Sequence, residues 1–268
     1  VGCVISIDEN VVGEGYTRPV GENHAEIEAL NMVQDPVGSC VYVTLEPCSH
    51  RGRTGPCAQA LIDAGVARVV IACEDPNPQV CGQGIQLLKD AGIEVDCGLL
   101  EDQARVLNQG FIKRHEHGLP WVLVKMAASM DGRTAMASGQ SQWVTTPASR
   151  HDVQKLRAKS CAIITGIGTQ LMDDPSLTVR ITSEQLGIDD VLQQPLRVVV
   201  DSQLQMSATA RMLLQPGKTL IATLDGKSQR EKAGALIAAG AEVVFLPAHG
   251  KHVDLHALLR DLADRQCN

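Results

Sequence analysis

Apolar and polar positions alternate in short blocks along the first 118 residues, and most blocks read as a single element. Val1–Ile7 and Val11–Tyr16 flank Asp8-Glu9-Asn10, a hairpin signal. His24–Met32 has helical spacing, and Cys40–Leu45 is a short apolar strand. Pro56–Ala64 reads as a helix with Pro in its first turn, and Cys57, Ala60, Leu61 and Ala64 share one face. Arg68–Cys73 is a strand, Gln83–Ala91 a helix stopped by Gly92, and Ile93–Cys97 the next strand. Glu101–His115 predicts one helix with Leu100, Ala104, Leu107 and Phe111 on a stripe. Strands separated by single helices imply parallel pairing through right-handed crossovers.

The polar stretch His115–Pro120 ends in Gly and Pro and marks a boundary, giving domains 1–118 and 119–268. The second domain opens with an expected strand, Trp121–Ala127, and a helix capped by Thr146 before Pro147. Strands follow at Cys161–Thr165, Leu196–Val200, Thr219–Thr223 and Glu242–Leu246, with helices around Arg230–Ala239 and Val253–Ala263. The segment Ser183–Gln194 is polar. Both halves are therefore of the α/β class.

Composition narrows the function. Forty-four per cent of the 268 residues are hydrophobic and 21% charged, ordinary values for a globular chain with its own core. Aromatic residues make up only 2%, too few for the stacked rings that bind single-stranded nucleic acid. Residues 1–118 carry 8 Lys or Arg against 17 Asp or Glu, net −9, which disfavours a polyanionic partner there. Residues 119–268 carry 16 against 14, net +2, compatible with a small phosphate-bearing ligand. No apolar run is long enough to span a bilayer, and no signal peptide opens the chain. Nine cysteines, seven of them before residue 100, read as reduced thiols in the cytoplasm, some of them metal ligands. Cys3, Cys40, Cys73, Cys97 and Cys161 are expected to be ordinary buried thiols.

His24-Ala25-Glu26, then Pro47-Cys48 and, after eight further residues, Cys57 carry the chemistry. One imidazole and two thiolates hold zinc and leave its fourth position to water, the catalytic arrangement. Zinc acidifies that water, and Glu26 is placed to carry the proton to a leaving group. This His-x-Glu with Pro-Cys…Cys pattern is the signature of zinc deaminases. His24 and Cys57 each open a predicted helix, and the helix start favours thiolate at Cys57. His50 is read as a substrate contact; as a fourth ligand it would close the site and leave a non-catalytic zinc module.

Val43–Cys57 reads V-T-L-E-P-C-S-H-R-G-R-T-G-P-C and resembles the deaminase domain of the bifunctional riboflavin-biosynthesis deaminase/reductase family. Asp75-Pro76-Asn77-Pro78 with Gly82-Gln83-Gly84 is similar to that family too. So are Lys125–Ala135, Ser141–Thr145, Gly166–Thr169 and Asp173–Arg180, so the resemblance covers nearly the whole chain. It implies a cytidine-deaminase-like three-layer domain followed by a dihydrofolate-reductase-like domain. The implied chemistry is zinc-dependent deamination of 2,5-diamino-6-ribosylamino-4(3H)-pyrimidinone 5′-phosphate, then NADPH-dependent reduction of its ribosyl group to ribityl. The resemblance makes His24, Cys48 and Cys57 the zinc ligands, Glu26 the proton shuttle, and His50, Arg53 and Asn77 contacts to the first substrate. It assigns Ala127, Trp143, Thr169, Asp173 and Ser202 to NADPH. Lys125, Ser141, Arg157, Leu177 and Arg180 go to the sugar-phosphate substrate. It also implies a cytoplasmic homo-oligomer joined through the reductase domain, with neither nucleic acid nor membrane as a partner.

Simpler roles stay open: Arg53 as a solvated loop charge, Asp173 as a helix cap, Arg157 as an exposed helix charge, Trp143 as core, and Gly166 and Gly168 as a tight turn. Three departures bear on the expectation. The family's N-terminal helix and Pro-Asn-Pro segment are not seen before Val1, and Gly55 stands where the family usually has Pro. The family's Glu-x-Gly-Pro-Thr-Leu segment does not occur, so the chain is expected to be a fragment with an incomplete reductase domain and weak NADPH binding. The alternatives are a deaminase with an idle second domain and, less compatible with net −9, a nucleic-acid deaminase.

Overall fold

The computed structural model, which describes residues 1–50, 55–78, 80–188 and 191–268, divides the chain into two units. One unit holds Val1–Trp121 with Asn268, and the other Val122–Cys267. Regular elements of the first unit are β1 (Gly2–Ile7), β2 (Asn10–Tyr16), α1 (Ala25–Leu30), β3 (Cys40–Val43), α2 (Cys57–Asp63), β4 (Arg68–Ile71), α3 (Gln83–Asp90), β5 (Glu94–Cys97), α4 (Glu101–Leu107) and α5 (Gln109–His117). Five strands form one sheet in the order β2-β1-β3-β4-β5.

The Asp8-Glu9 signal yields a tight turn in which both residues take positive φ, 48° and 67°. It pairs β1 and β2 antiparallel, and β1 also runs antiparallel to β3. Of the strands separated by helices, β3, β4 and β5 pair parallel as expected, whereas β2 runs in the same direction as β3 without pairing with it, because β1 lies between them. Register aligns Cys3 with Val43, Val41 with Val69 and Val43 with Ile71. This puts their side chains on one face, where Ala25 and Ala29, Ala58 and Leu61, and Leu88 from the first three helices complete the core.

Two glycines set how closely α1 lies on this sheet. A Cβ at Gly13 would come within 2.5 Å of the Ala29 carbonyl oxygen, and one at Gly15 within 2.3 Å of the Ala25 carbonyl oxygen. Backbone meets backbone there, which only Gly permits.

Two expectations for this unit fail. The helix over 101–115 is two helices broken at Asn108 (φ −112°, ψ 21°), whose side-chain amide donates to the Ala104 carbonyl at 3.3 Å. The break turns Leu107 out to solvent and spoils the stripe, although Ala104 stays buried. Cys97 is exposed and Cys40 only half-buried, and Cys161 in the other unit is exposed too, rather than buried.

The second unit comprises α6 (Pro147–Ala158), β6 (Ala162–Gly166), α7 (Ile167–Asp173), α8 (Ser183–Leu186), β7 (Leu196–Val200), a 3-10 turn (Arg211–Leu214), β8 (Thr219–Leu224), α9 (Lys227–Ala238), β9 (Glu242–Leu246), β10 (Ala248–His249), β11 (His252–Val253) and α10 (Leu255–Asp264). Four parallel strands run in the order β6-β7-β8-β9. Successive residues alternate faces: Val199 and Ile221 pack with Ala233 and Leu236 of α9, while Val198, Leu220 and Ala222 pack with Leu258 and Leu262 of α10. Thr146 caps α6 as expected, its hydroxyl accepting from Ser149 N at 3.2 Å.

Trp121–Ala127 is not a strand: it is irregular chain with Val124 and Met126 exposed. No strand among the described residues pairs with it, and an apolar segment without backbone partners does not become β-structure by propensity. No helix among the described residues is long and apolar enough to cross a membrane.

Candidate active sites

The first site is assembled from two chain turns that the sheet brings together. His24 is the N-cap of α1, in extended conformation (φ −78°, ψ 165°), so its ring stands just ahead of the helix that Gly13 and Gly15 hold close. Glu26 follows in the first turn and is buried, 3% exposed. Cys48 lies beyond the end of β3, and Cys57 is the first residue of α2, behind Pro56 at its N-cap rather than inside the helix. The two cysteine turns are stitched together: Cys57 N donates to Cys48 Sγ at 3.2 Å, and Ala58 N to the Cys48 carbonyl at 3.1 Å.

His24 Nδ1 is 3.6 Å from Cys48 Sγ and 3.3 Å from Cys57 Sγ, and the three donor atoms lie within 4.8 Å of one another. With the usual bond lengths a tetrahedral zinc ion requires a sulfur–nitrogen edge of about 3.5 Å, so the donor set fits zinc. Among the described residues this is the only such cluster, and His50 is outside it, exposed. A fourth protein ligand is therefore not supplied by His50, and the closed-module alternative loses its candidate.

The three donors perturb one another. A hydrogen bond from Cys57 and then the His24 ring hold the Cys48 thiol far below its ordinary range, whereas Cys48 and burial push Cys57 up. The His24 imidazole is more basic than usual, chiefly because it bonds Cys48. Burial raises the Glu26 carboxyl, and its own backbone N–H partly opposes this.

Glu46 and Asp75, two buried acids beside this site, escaped the sequence reading. Glu46 is 3% exposed, and its oxygens accept backbone N–H groups of Asp75 (3.1 Å), Gly82 (3.0 Å), Gly84 (2.9 Å) and Ile85 (3.1 Å). Asp75 Oδ1 accepts from Asn77 N at 2.8 Å. Burial pushes the Asp75 carboxyl up to about 6, with the Glu46 and Cys48 charges adding to the effect. An acid directly after an apolar strand was the available signal for Glu46. Asn77 is half-buried in this segment, and Arg53 lies outside the described residues.

In the second unit the expected residues fall into separate groups. Ser202 lines a cavity of about 980 Å³ at the C-terminal ends of β6 and β7, together with Gly166, Gly168 and Asp201. Such strand ends are where open α/β sheets bind ligands. Ser202 Oγ accepts from Val253 N at 3.1 Å, tying the cavity wall to β11. Asp201 is fully buried, and its Oδ2 accepts Gln205 N at 2.6 Å and Met206 N at 2.8 Å, fixing the turn after β7. Thr169 and Asp173 are exposed on α7. Ser141 and Trp143 line a second, shallower hollow with Arg133; Trp143 is exposed under the Arg150 guanidinium, 4.3 Å from its ring centre, and is not core. Lys125 and Ala127 lie on the irregular segment 122–146. Arg157 donates to the Thr178 carbonyl at 3.0 Å, and burial and then the nearby Arg180 charge lower its proton affinity. Leu177, at φ 49°, is half-buried against the core.

A mixed sheet that presents a His/Cys/Cys donor set beside a buried glutamate defines the class of zinc deaminases. Residues 1–73 match the model of the cytidine and deoxycytidylate deaminase zinc-binding region, and residues 120–268 match that of the RibD C-terminal domain. The riboflavin biosynthesis protein RibD of Escherichia coli K12 is 48% identical over all of this chain and 73% of its own length. That of Haemophilus influenzae is 44% identical over all of the chain and 72% of its own. Acinetobacter baumannii RibD superposes with a TM-score of 0.86 at 42% identity, covering 99% of this chain and 70% of that one. The deaminase/reductase from Thermotoga maritima gives 0.85 at 30% identity over 99% and 71%. The chain belongs to the RibD family.

Proposed function

We propose that the chain performs two consecutive steps of riboflavin biosynthesis, hydrolytic deamination of 2,5-diamino-6-ribosylamino-4(3H)-pyrimidinone 5′-phosphate and reduction of the product's ribosyl group to ribityl. The placement of His24, Cys48 and Cys57 around one point, with buried Glu26 beside them, carries this reading. When bound there, zinc supplies acidified water for the attack on the amino-bearing ring carbon. Glu26 accepts a proton from that water at a carboxylate oxygen and passes it to the adjacent ring nitrogen, then moves the second proton from the new hydroxyl to the departing amino nitrogen, so the carbonyl forms and ammonia leaves neutral. Burial keeps the Glu26 carboxyl away from bulk water, so its proton exchanges with the reacting groups rather than with solvent. His50 and Asn77 contact the pyrimidine, and Arg53 its phosphate.

In the second unit NADPH supplies the hydride when bound. Ser202, at the strand-end cavity, and Ala127, Trp143, Thr169 and Asp173 are the residues we assign to it. Arg157 and Arg180, close enough to depress Arg157, are suited to share one phosphate dianion. Lys125, Ser141 and Leu177 complete the proposed sugar-phosphate site. A deaminase with an idle second half is disfavoured because that half matches the RibD C-terminal domain from 120 to 268.

Copies of the chain associate through the second unit, where exposed Val122, Leu123, Val124 and Met126 call for cover. The compartment is the cytoplasm, in keeping with unbridged Cys3, Cys40, Cys73, Cys81 and Cys97. The deciding experiment is Glu26→Gln. Ammonia release falls by about a hundredfold or more while zinc content is kept. Deamination at the wild-type rate in that variant sinks the mechanism.

A further inference from the structure

Glu46 is spent entirely on backbone. Its two carboxylate oxygens hold four amide N–H groups, all from one stretch, residues 75 to 85. That stretch lies 29 to 39 residues away in sequence, so the bonds are tertiary. Glu46 N in turn donates to the Cys73 carbonyl at 3.0 Å, fixing the strand end from the other side. Pro47 follows and presses on the same stretch: a Cβ at Gly84 would lie 2.0 Å from the Pro47 carbonyl oxygen. Cys48 comes next. One tripeptide thus joins the metal-ligating turn to the segment that carries Asn77. Within that segment Asp75 Oδ1 takes the Asn77 N–H, and the Asn77 carbonyl accepts Val80 N at 2.8 Å and Cys81 N at 2.9 Å. Asn77 is therefore held in a closed turn whose anchor is the Glu46 carboxylate.

We infer that Glu46 is a positioning residue for the deamination: its buried carboxylate locks the backbone of Asp75, Gly82, Gly84 and Ile85 against the Cys48 turn and so sets Asn77 at a fixed distance from the metal. It touches no reacting atom. The inference rests on the deaminase reading above, and it places substrate recognition, not metal affinity, under the control of Glu46. A neutral amide in its place keeps the volume but turns an NH₂ donor toward two backbone donors, so part of the lock opens.

In the full-length chain, Glu46→Gln is expected to raise KM for the pyrimidine phosphate about tenfold while kcat changes by less than about threefold. Zinc content and the visible spectrum of the cobalt-substituted protein stay as in the wild type. Amide hydrogen exchange at Gly82, Gly84 and Ile85 speeds up. Glu46→Asp, which keeps the charge, shows a smaller rise in KM, and it is read alone should the Gln variant not fold. A wild-type KM in a folded variant overturns the inference. So does a loss that tracks zinc release or a changed cobalt spectrum, because Glu46 would then act on the metal turn. If the wild-type chain releases no ammonia, the deaminase reading is what fails. The exchange rates still report whether Glu46 locks the segment, and unchanged protection in the variant refutes that lock.

Discussion

Gly15→Ala puts one methyl group where α1 meets β2. The added Cβ would sit 2.3 Å from the Ala25 carbonyl oxygen, 2.6 Å from Ala29 N and 2.8 Å from Glu28 Cβ. Two of these three are backbone atoms, so no side-chain rotation relieves the contact. Ordinary van der Waals separation is about 3.5 Å, so helix and strand must part by roughly 1 Å. Overpacking of this kind costs about 1–3 kcal/mol. At roughly 4 °C per kcal/mol, the first unit should melt about 4–12 °C lower. The functional effect is larger than the thermal one. The displaced helix carries Glu26 in its first turn and His24 at its cap, and a 1 Å misplacement of catalytic groups costs on the order of a hundredfold in rate. Calorimetric melting and ammonia release, with zinc content measured on the same samples, test both figures. A variant that melts within about 1 °C of wild type and deaminates normally would refute the close-approach argument.

Two further outcomes are expected. Arg157→Ala should raise KM for the phosphorylated substrate of the reduction about 10- to 100-fold and leave an unphosphorylated analogue unaffected, with Lys restoring it only in part because the planar donor fork is lost. Equal effects on both analogues would remove Arg157 from the phosphate site. Arg265 holds the Glu242 carboxyl below its ordinary 4.5. A carboxyl depressed by folding contributes stability above its unfolded value and loses it as pH falls through the folded one. The pair is partly exposed to solvent, so Glu242→Gln should cost only about 0.2–1 kcal/mol in denaturant melts at neutral pH and nothing once the folded-state carboxyl has been protonated in acid. A cost that persists in acid would contradict the ion-pair origin.

The local patterns carried the elements. β7 and β9 fall at Leu196–Val200 and Glu242–Leu246 as their apolar runs required, and Thr146 caps α6 because its hydroxyl is the nearest acceptor for an unpaired helical N–H. The donor set was equally legible: His24, Cys48 and Cys57 meet as their residue types and spacing required. Patterning misled where a competing interaction decided. Asn108 broke a helix by bonding back to Ala104, and Trp121–Ala127 found no strand to join.

Which donors meet is encoded in residue order and type. How near they stand, and what holds them, emerged only from folding. Gly13 and Gly15 lie on a strand with no sign in their own neighbourhood that a helix will press on them. Glu46 follows an apolar strand, but nothing near it in sequence shows that the amides of Asp75, Gly82, Gly84 and Ile85 will come within 3.1 Å of its carboxylate. Both effects arise between segments remote in the chain, and contacts of that range have no periodicity for a sequence to display.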